Sequence, residues 1–323
     1  MSAGDSVYLP SKYWQGLVRI NAEQLDARGF ENFKRTVATN YFTWTHGSDF
    51  RSHLLSLARR APLSEWPGLL RGLDWRGVSP TLDRRHSLIL SIFTRLVWSH
   101  ARRHDPLKLL DALEEPEIGN PFQIYMNGRL ISQDLANSVL EFYSSTEEST
   151  GVREVCELGA GYGRLAYVFL NALPCRYTII DIPPALCVSE RYLSEVFPGK
   201  KVFSFREFRA YEEVREEFEA SDIRFLLPHQ AEMLPDNSVD LFLNISSLHE
   251  MTREQVSAYF RMIGRLTRGR FYTKQWMEGR NGADKVWLRP GDYPVPVTWR
   301  ELYMRPAEVQ TNFFEALYDV GCD

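Results

Sequence analysis

Three glycines stand at alternate positions in Glu157-Leu-Gly159-Ala160-Gly161-Tyr-Gly163-Arg164. An apolar run precedes them and a helical pattern follows, to about Ala172. Glycine lets the backbone approach a ligand closely and adopt angles that other residues avoid, so this turn reads as a cradle. An acid, Glu157, sits two positions before the first glycine. Eighteen residues past Gly163, Asp181 ends the next apolar run, in "YTIIDIPPAL". A carboxylate there can accept hydrogen bonds from two neighbouring hydroxyls. The dinucleotide fingerprint is G-x-G-x-x-G, with pyrophosphate on the helix N-terminus. Here Arg164 holds the place of the last glycine, and the third glycine comes one residue early. Negative charge at Glu157 suits a cationic ligand better than pyrophosphate.

A second group of reactive side chains lies in "NISSLHEM", where His249 and Glu250 follow an apolar strand pattern. A histidine can take up a proton near neutral pH, and a neighbouring acid can orient it or bind a cation. Tyr272, Gln275 and Trp276, after a further strand pattern, are read as lining the mouth of a substrate site. Lys274 beside them is read as a surface cation. His100 and His104 lie four apart in "HARRHD", but Arg102 and Arg103 make a solvated basic face the expectation there, and no metal is expected.

The residues "ELGAGYGR" resemble motif I of the class I S-adenosylmethionine (SAM)-dependent methyltransferases. Asp181 and the block "HQAEMLPDNSVDLFLNISSLHEM" extend the likeness. More narrowly, "ELGAGYGRLAYV", "IIDIPPAL", "NISSLHEM" and "SKYWQGLVRINAEQLDARGFENFKRT" resemble the sugar O-methyltransferase family over most of the chain. The resemblance implies that Glu157, Gly159, Ala160, Gly161, Gly163, Asp181 and Ile182 hold SAM, whose spent product is S-adenosylhomocysteine. It places Gln230 and Ala231 against adenine, with Gln230 where the family has an acid, and it brings Asn244 to the methionyl part. Arg129 is the candidate for the SAM carboxylate.

These residues require a scaffold. Strand patterns near 152–158, 177–181, 223–227, 239–245 and 270–275 alternate with helical ones. That pattern implies a Rossmann-like, doubly wound, mostly parallel α/β sheet with ligands at the carboxyl ends of its strands. Residues 1–120 read as a helical N-terminal domain that lids, docks or dimerises, and 121–323 as the SAM-binding domain. In the former, Gly29 should break one helix. Leu88, Ile92, Leu96 and Val97 should form the buried stripe of another, capped by Thr81. Ser132 should cap a further helix. Residues 277–299 read as a long ordered loop.

Composition narrows the function. The formal net charge is -4, so a general nucleic-acid-binding role is not expected. Cys156, Cys175, Cys187 and Cys322 form no C-x-x-C pair, and neither a signal sequence nor a membrane span is apparent, so a cytoplasmic protein is expected. The acids Asp111, Glu114, Glu115 and Glu117, with Glu250 and Asp284, suit a polycationic substrate, and Tyr125 joins Glu114, Glu117 and Asp284 as a substrate candidate. The favoured acceptor is therefore an amine of an amino sugar of aminoglycoside type, as in antibiotic biosynthesis. The alternatives are a neutral sugar hydroxyl and, more remotely, an NAD-linked dehydrogenase.

Overall fold

A computed structural model of the chain describes residues 5–36, 50–71, 73, 84–147 and 151–321. Contacts divide it into a sheet unit (residues 1–23, 145–307 and 312–323) and a helical unit (24–144 and 308–311). The division thus differs from a single cut at residue 120. The start of the chain belongs with the sheet, and a four-residue piece near the end belongs with the helices.

α1 (Lys12–Arg28) begins in the sheet unit and ends in the helical one, where Gly29 takes a φ of 74° and a 3₁₀ turn follows. α2 (Phe50–Arg60), α3 (Trp66–Leu70), α4 (Arg84–Arg103) and α5 (Leu109–Ala112) come next. Leu96 and Val97 are buried on α4 as expected, but Leu88 and Ile92 are half-buried. Every residue from Phe93 to Ala101 is buried, which makes this stretch a core helix, not an amphipathic one. Arg95 is tolerated inside because its guanidinium donates to the carbonyl oxygens of Leu69, Arg71 and Tyr125 at 2.9, 2.7 and 2.6 Å. Thr81 lies outside the described residues, as does Cys322. A small hairpin, β1 (Tyr125–Met126) with β2 (Arg129–Leu130), leads to α6 (Gln133–Thr146). Ser132 caps α6, its Oγ accepting from the Leu135 N–H at 2.9 Å.

The sheet unit is built on β3 (Glu154–Leu158), α7 (Arg164–Ala172), β4 (Arg176–Ile180), α8 (Ala185–Val196), β5 (Val202–Phe203), α9 (Arg215–Ala220), β6 (Ile223–Leu226) and α10 (Pro228–Ala231). It continues through β7 (Val239–Ile245), α11 (Arg253–Leu266), β8 (Thr267–Trp276), β9 (Gly279–Asn281), β10 (Val286–Leu288), β11 (Arg300–Pro306) and β12 (Phe313–Asp319). Eight of these strands form one sheet in the order β11-β12-β8-β7-β3-β4-β6-β5. All neighbours are parallel except the pairs made by β12, which runs antiparallel to β8 and to β11. The central strands are apolar on both faces because helices cover both. The fold is Rossmann-like, as expected. The chain winds outward from β3 to β4 and β6, then returns to β7 on the other side of β3. The crevice between the carboxyl ends of β3 and β7 is therefore the switch point where such sheets take ligands.

Every strand expected from the sequence is present, within three residues at either end. β11 gave no signal because it is an exposed edge strand without apolar alternation. The expected loop at 277–299 contains the β9–β10 hairpin. Trp299 supports the ordered reading, stacking on Phe260 at 5.9 Å between ring centres, whereas Trp287 is exposed. Thr252 caps α11 reciprocally with Gln255, whose amide also donates to the carbonyls of Val7 and Leu9. That bond fastens the chain's start to the sheet unit. Cys156, Cys175 and Cys187 are free thiols. No described helix is long and apolar enough to cross a membrane.

Candidate active site

The glycine turn connects β3 to α7, and all three of its glycines have positive φ, at 75°, 61° and 85°. Gly159 must be glycine for a second reason. A Cβ there would lie 2.5 Å from Ser247 Oγ, across the switch-point crevice on the β7 side. Asp181 follows β4 directly. Its carboxylate accepts from the Gly161 N–H at 2.9 Å and from its own neighbour Ile182 N–H at 2.7 Å. Burial pushes this carboxyl up to about 7, opposed by the two backbone donors. No Lys or Arg pairs with it among the described residues. Glu157, also buried, accepts from Tyr177 Oη at 2.7 Å. Gly159, Ala160, Gly161, Gly163, Asp181 and Ile182 are thus brought together as expected, and Tyr177 is a member of this cluster that sequence reasoning missed.

Across the crevice, β7 is followed by Ser246, which takes a φ of 57° that a non-glycine residue rarely adopts. The bend delivers Ser247, His249 and Glu250, all buried. From here a chain of hydrogen bonds assigns each polar atom in turn. Asn244 Nδ2 lies 2.9 Å from the carbonyl oxygen of Leu158. A carbonyl only accepts, so this atom is the amide nitrogen and Asn244 Oδ1 is the acceptor. Gln275 Nε2 donates to that oxygen at 2.6 Å and to Thr273 Oγ1 at 3.0 Å. Gln275 Oε1 therefore faces His249 Nδ1, 3.0 Å away, and Nδ1 must carry the proton. The neutral imidazole is left with its lone pair on Nε2.

His249 Nε2 stands 3.4 Å from Glu250 Oε1. Trp14 Nε1 donates to the other carboxyl oxygen at 3.0 Å. The Glu250 carbonyl accepts from Ser11 Oγ at 3.0 Å and Asn281 Nδ2 at 2.8 Å. Burial disfavours charge on both members of the pair. It holds His249 down to about 4, partly offset by Gln275, and raises Glu250 well above the usual carboxyl range, opposed by Trp14. The indole of Trp276 lies 6.2 Å from the His249 ring, edge to face. A Cβ on Gly279 would come within 2.5 Å of His249 Cβ, so the β9 backbone covers the histidine closely. Burial also raises the Tyr13 phenol to about 12, with Glu250 adding to the effect. Trp14, Ser11, Asn281, Ser247 and Thr273 were all missed in the sequence. They come from distant segments, and no local pattern marks them.

Several expected residues have other work. Gln230, proposed for adenine, spends its amide on backbone, accepting from Leu227 N–H at 2.9 Å and donating to the Arg206 carbonyl at 2.7 Å. Ala231 beside it is fully buried. Asn244 is a link in the chain above. Tyr272 points into the sheet's packing, where its hydroxyl donates to buried Glu315 at 2.9 Å, and so does not line a mouth. Lys274 is buried, not a surface cation. Gln275, expected at the mouth, is the partner of His249. Asp284 accepts from the N–H groups of Lys12 and Tyr13 at 3.3 and 3.2 Å, so it caps α1.

Arg129, Glu114, Glu117 and Tyr125 belong to the helical unit. There Arg129 donates to the Leu110 carbonyl at 3.1 Å and Tyr125 Oη to Gln123 Oε1 at 2.7 Å. Glu114 and Glu117 are exposed. Of their acidic neighbours, Glu115 is buried against Lys34 and Ser132, and Asp111 pairs with Arg102.

No family model and no curated relative matches the sequence. Solved structures do. A SAM-dependent methyltransferase from Mesorhizobium loti is 13% identical, with a TM-score of 0.39, over 56% of this chain and 97% of that one. Magnesium protoporphyrin IX methyltransferase from Synechocystis is 12% identical, with a TM-score of 0.38, over 58% and 85%. The Burkholderia thailandensis 1,6-didemethyltoxoflavin-N1-methyltransferase, solved with its substrate and S-adenosylhomocysteine, is 15% identical, with a TM-score of 0.37, over 58% and 77%.

Proposed function

We propose that this protein is a SAM-dependent methyltransferase acting on a hydroxyl of a small polar molecule, with a sugar as the substrate class. The observation that carries the reading is the chain from the Leu158 carbonyl through Asn244 and Gln275, which leaves His249 Nε2 as a proton acceptor at the switch point. An acceptor hydroxyl needs such a base because it is a poor acid, whereas an amine sheds its proton to water.

The residues present suit SAM. Asp181 is an acceptor-only group whose buried carboxylate meets only backbone donors. Two ribose hydroxyls would add the donors it lacks. Gly159, Ala160, Gly161, Gly163 and Ile182 line the cradle, and Glu157 lies on β3 just before it, bonded to Tyr177. An NAD-linked reading is weaker on two counts. The third glycine is at 163 rather than 164, and antiparallel β12 lies beside β8, where a dinucleotide fold has a further parallel strand.

SAM supplies an activated methyl group on a sulfonium, and leaves as a neutral thioether. The protein's part is to place the acceptor oxygen in line, which can contribute up to roughly 7–11 kcal/mol, and to take its proton. His249 Nε2 receives that proton as the oxygen bonds to the methyl carbon. The imidazolium so formed is held by Gln275 on one side and has Glu250 Oε1 3.4 Å away on the other. Proton transfer adds about 10²–10⁴-fold.

The amino-sugar preference weakens, because Asp284, Glu115 and Asp111 are committed to a helix cap and two ion pairs. One observation still favours an amine: the buried Glu250 carboxyl pairs with no Lys or Arg among the described residues, and an ammonium group would supply that missing counter-charge. Incubation with labelled SAM and matched neutral and amino sugars decides between the two. Label on oxygen with a strong dependence on His249 supports the hydroxyl reading, and label confined to nitrogen removes it.

A further inference from the structure

Helix α4 of the helical unit ends in His100-Ala-Arg-Arg103 with His104 next in the chain, and Glu308, from the four-residue piece 308–311 of the same unit, meets it there. We propose that His100, His104 and Glu308 form a binding site for a divalent transition-metal ion of the zinc class, independent of the methyl-transfer site. Their ligand atoms all lie within 4.8 Å of one another. His100 Nε2 is 2.9 Å from Glu308 Oε2. Two donors each about 2.1 Å from one zinc ion stand roughly 3.0–3.4 Å apart, so the pair needs to open by only a few tenths of an ångström.

The second histidine is already oriented. His104 Nδ1 lies 2.9 Å from the carbonyl oxygen of His100. That oxygen can only accept, so Nδ1 holds the proton and Nε2 keeps its lone pair for a ligand. A backbone carbonyl on the far ring nitrogen is the partner that metal-bound imidazoles recurrently have. The two rings pack with centres 4.5 Å apart, close enough to share an ion. His100 is buried, whereas His104 and Glu308 are exposed, so the site has a dry side and an open side where water completes the coordination. Two imidazoles and one carboxylate select the zinc class over magnesium or calcium, which take oxygen ligands.

The solvated basic face expected here is thus only partly present. Besides Arg60 at the Glu308 carbonyl, Arg103 is a nearby positive charge that opposes a cation, its Nη2 3.5 Å from His100 Nδ1. Its Nη1 is held more tightly by Glu65 at 2.6 Å, which offsets that charge. An ion would pin Glu308 to α4, reinforcing the bond from Arg60 to the Glu308 carbonyl at 2.7 Å and the contact of His53 with Thr311 at 3.2 Å. Its role is that of a structural clamp within the helical unit.

The test uses the full-length protein, stripped with chelator and titrated by calorimetry with Zn²⁺ and, for visible absorption, with Co²⁺. One equivalent should bind, the melting temperature should rise by several degrees, and cobalt should give the d–d bands of a low-coordinate nitrogen–oxygen site. His104→Ala and Glu308→Gln each change an exposed residue, so metal-free melting should match the parent. Each should weaken binding at least tenfold, while His86→Ala, on the opposite end of α4, should not. Absence of stoichiometric binding, or binding that survives both substitutions, overturns the proposal.

Discussion

The two lips of the switch-point crevice satisfy their polar groups in opposite ways. On the β3–β4 side, Asp181 accepts only backbone N–H groups, and its proton affinity is set by burial, which raises it, against those two donors, which lower it. On the β7–β8 side, side chains answer one another from Asn244 to Gln275 to His249. A carboxylate served by backbone donors keeps acceptor capacity for an incoming ligand. A relay of side chains leaves little freedom and fixes which nitrogen of the histidine is basic. The first lip is suited to holding a ligand, the second to handling a proton.

Breaking the second lip should have the largest effect. His249→Ala is expected to lower turnover of a hydroxyl acceptor by about 10²–10⁴-fold while leaving S-adenosylhomocysteine affinity unchanged. Equal losses in both would erase the distinction between the lips. Asp181→Asn should do the reverse, weakening that affinity by roughly 10²-fold through lost charge-assisted hydrogen bonds. Since burial raises Asp181 to about 7, affinity in the parent protein should also fall about tenfold per unit of pH below 7, a slope that the Asn variant lacks.

Gln275→Leu sharpens the comparison because Gln275 acts through His249. Turnover should drop by about tenfold or more, and nitrogen NMR of labelled histidine should show the neutral ring losing its preference for a proton on Nδ1. A structural role alone would lower stability and leave that signal in place.

Stability against pH separates the lips again. Unfolded Asp181 ionises near 3.8 and folded near 7, so between those values the unfolded state binds fewer protons and stability falls as pH rises. His249 has the opposite sign. It takes a proton at about 6.5 unfolded and about 4 folded, so stability falls as pH drops through that window. Denaturant midpoints of Asp181→Asn and His249→Ala across pH 4–7 should each lose one of these slopes. The smallest effect belongs to Gln230→Ala, which should cost about 1–3 kcal/mol of stability through its two backbone partners and leave donor-product affinity unchanged.

The glycine turn and Asp181 were legible because one strand-turn-helix unit and one strand end carry them, and their spacing survives in the linear order. The winding of β3, β4, β6 and β7 followed from the same alternation. His249 was legible by type and position, but its partners were not. Gln275 lies 26 residues away, on another strand, and Trp14 is brought from near the start of the chain. Gln230, Tyr272 and Asp284 were misplaced for one reason: a polar group beside a site looks the same in sequence whether it faces a ligand or bonds to the protein itself. Glu308 gave no signal, since only the fold sets it beside α4.

Methyl transfer measured with labelled SAM, comparing the parent protein with His249→Ala on a panel of hydroxyl acceptors, tests the central claim most directly. The account predicts transfer to oxygen that falls at least a hundredfold in the variant while S-adenosylhomocysteine still binds. Transfer that proceeds equally well without the imidazole, or a parent protein that binds neither the donor nor its product, would contradict it.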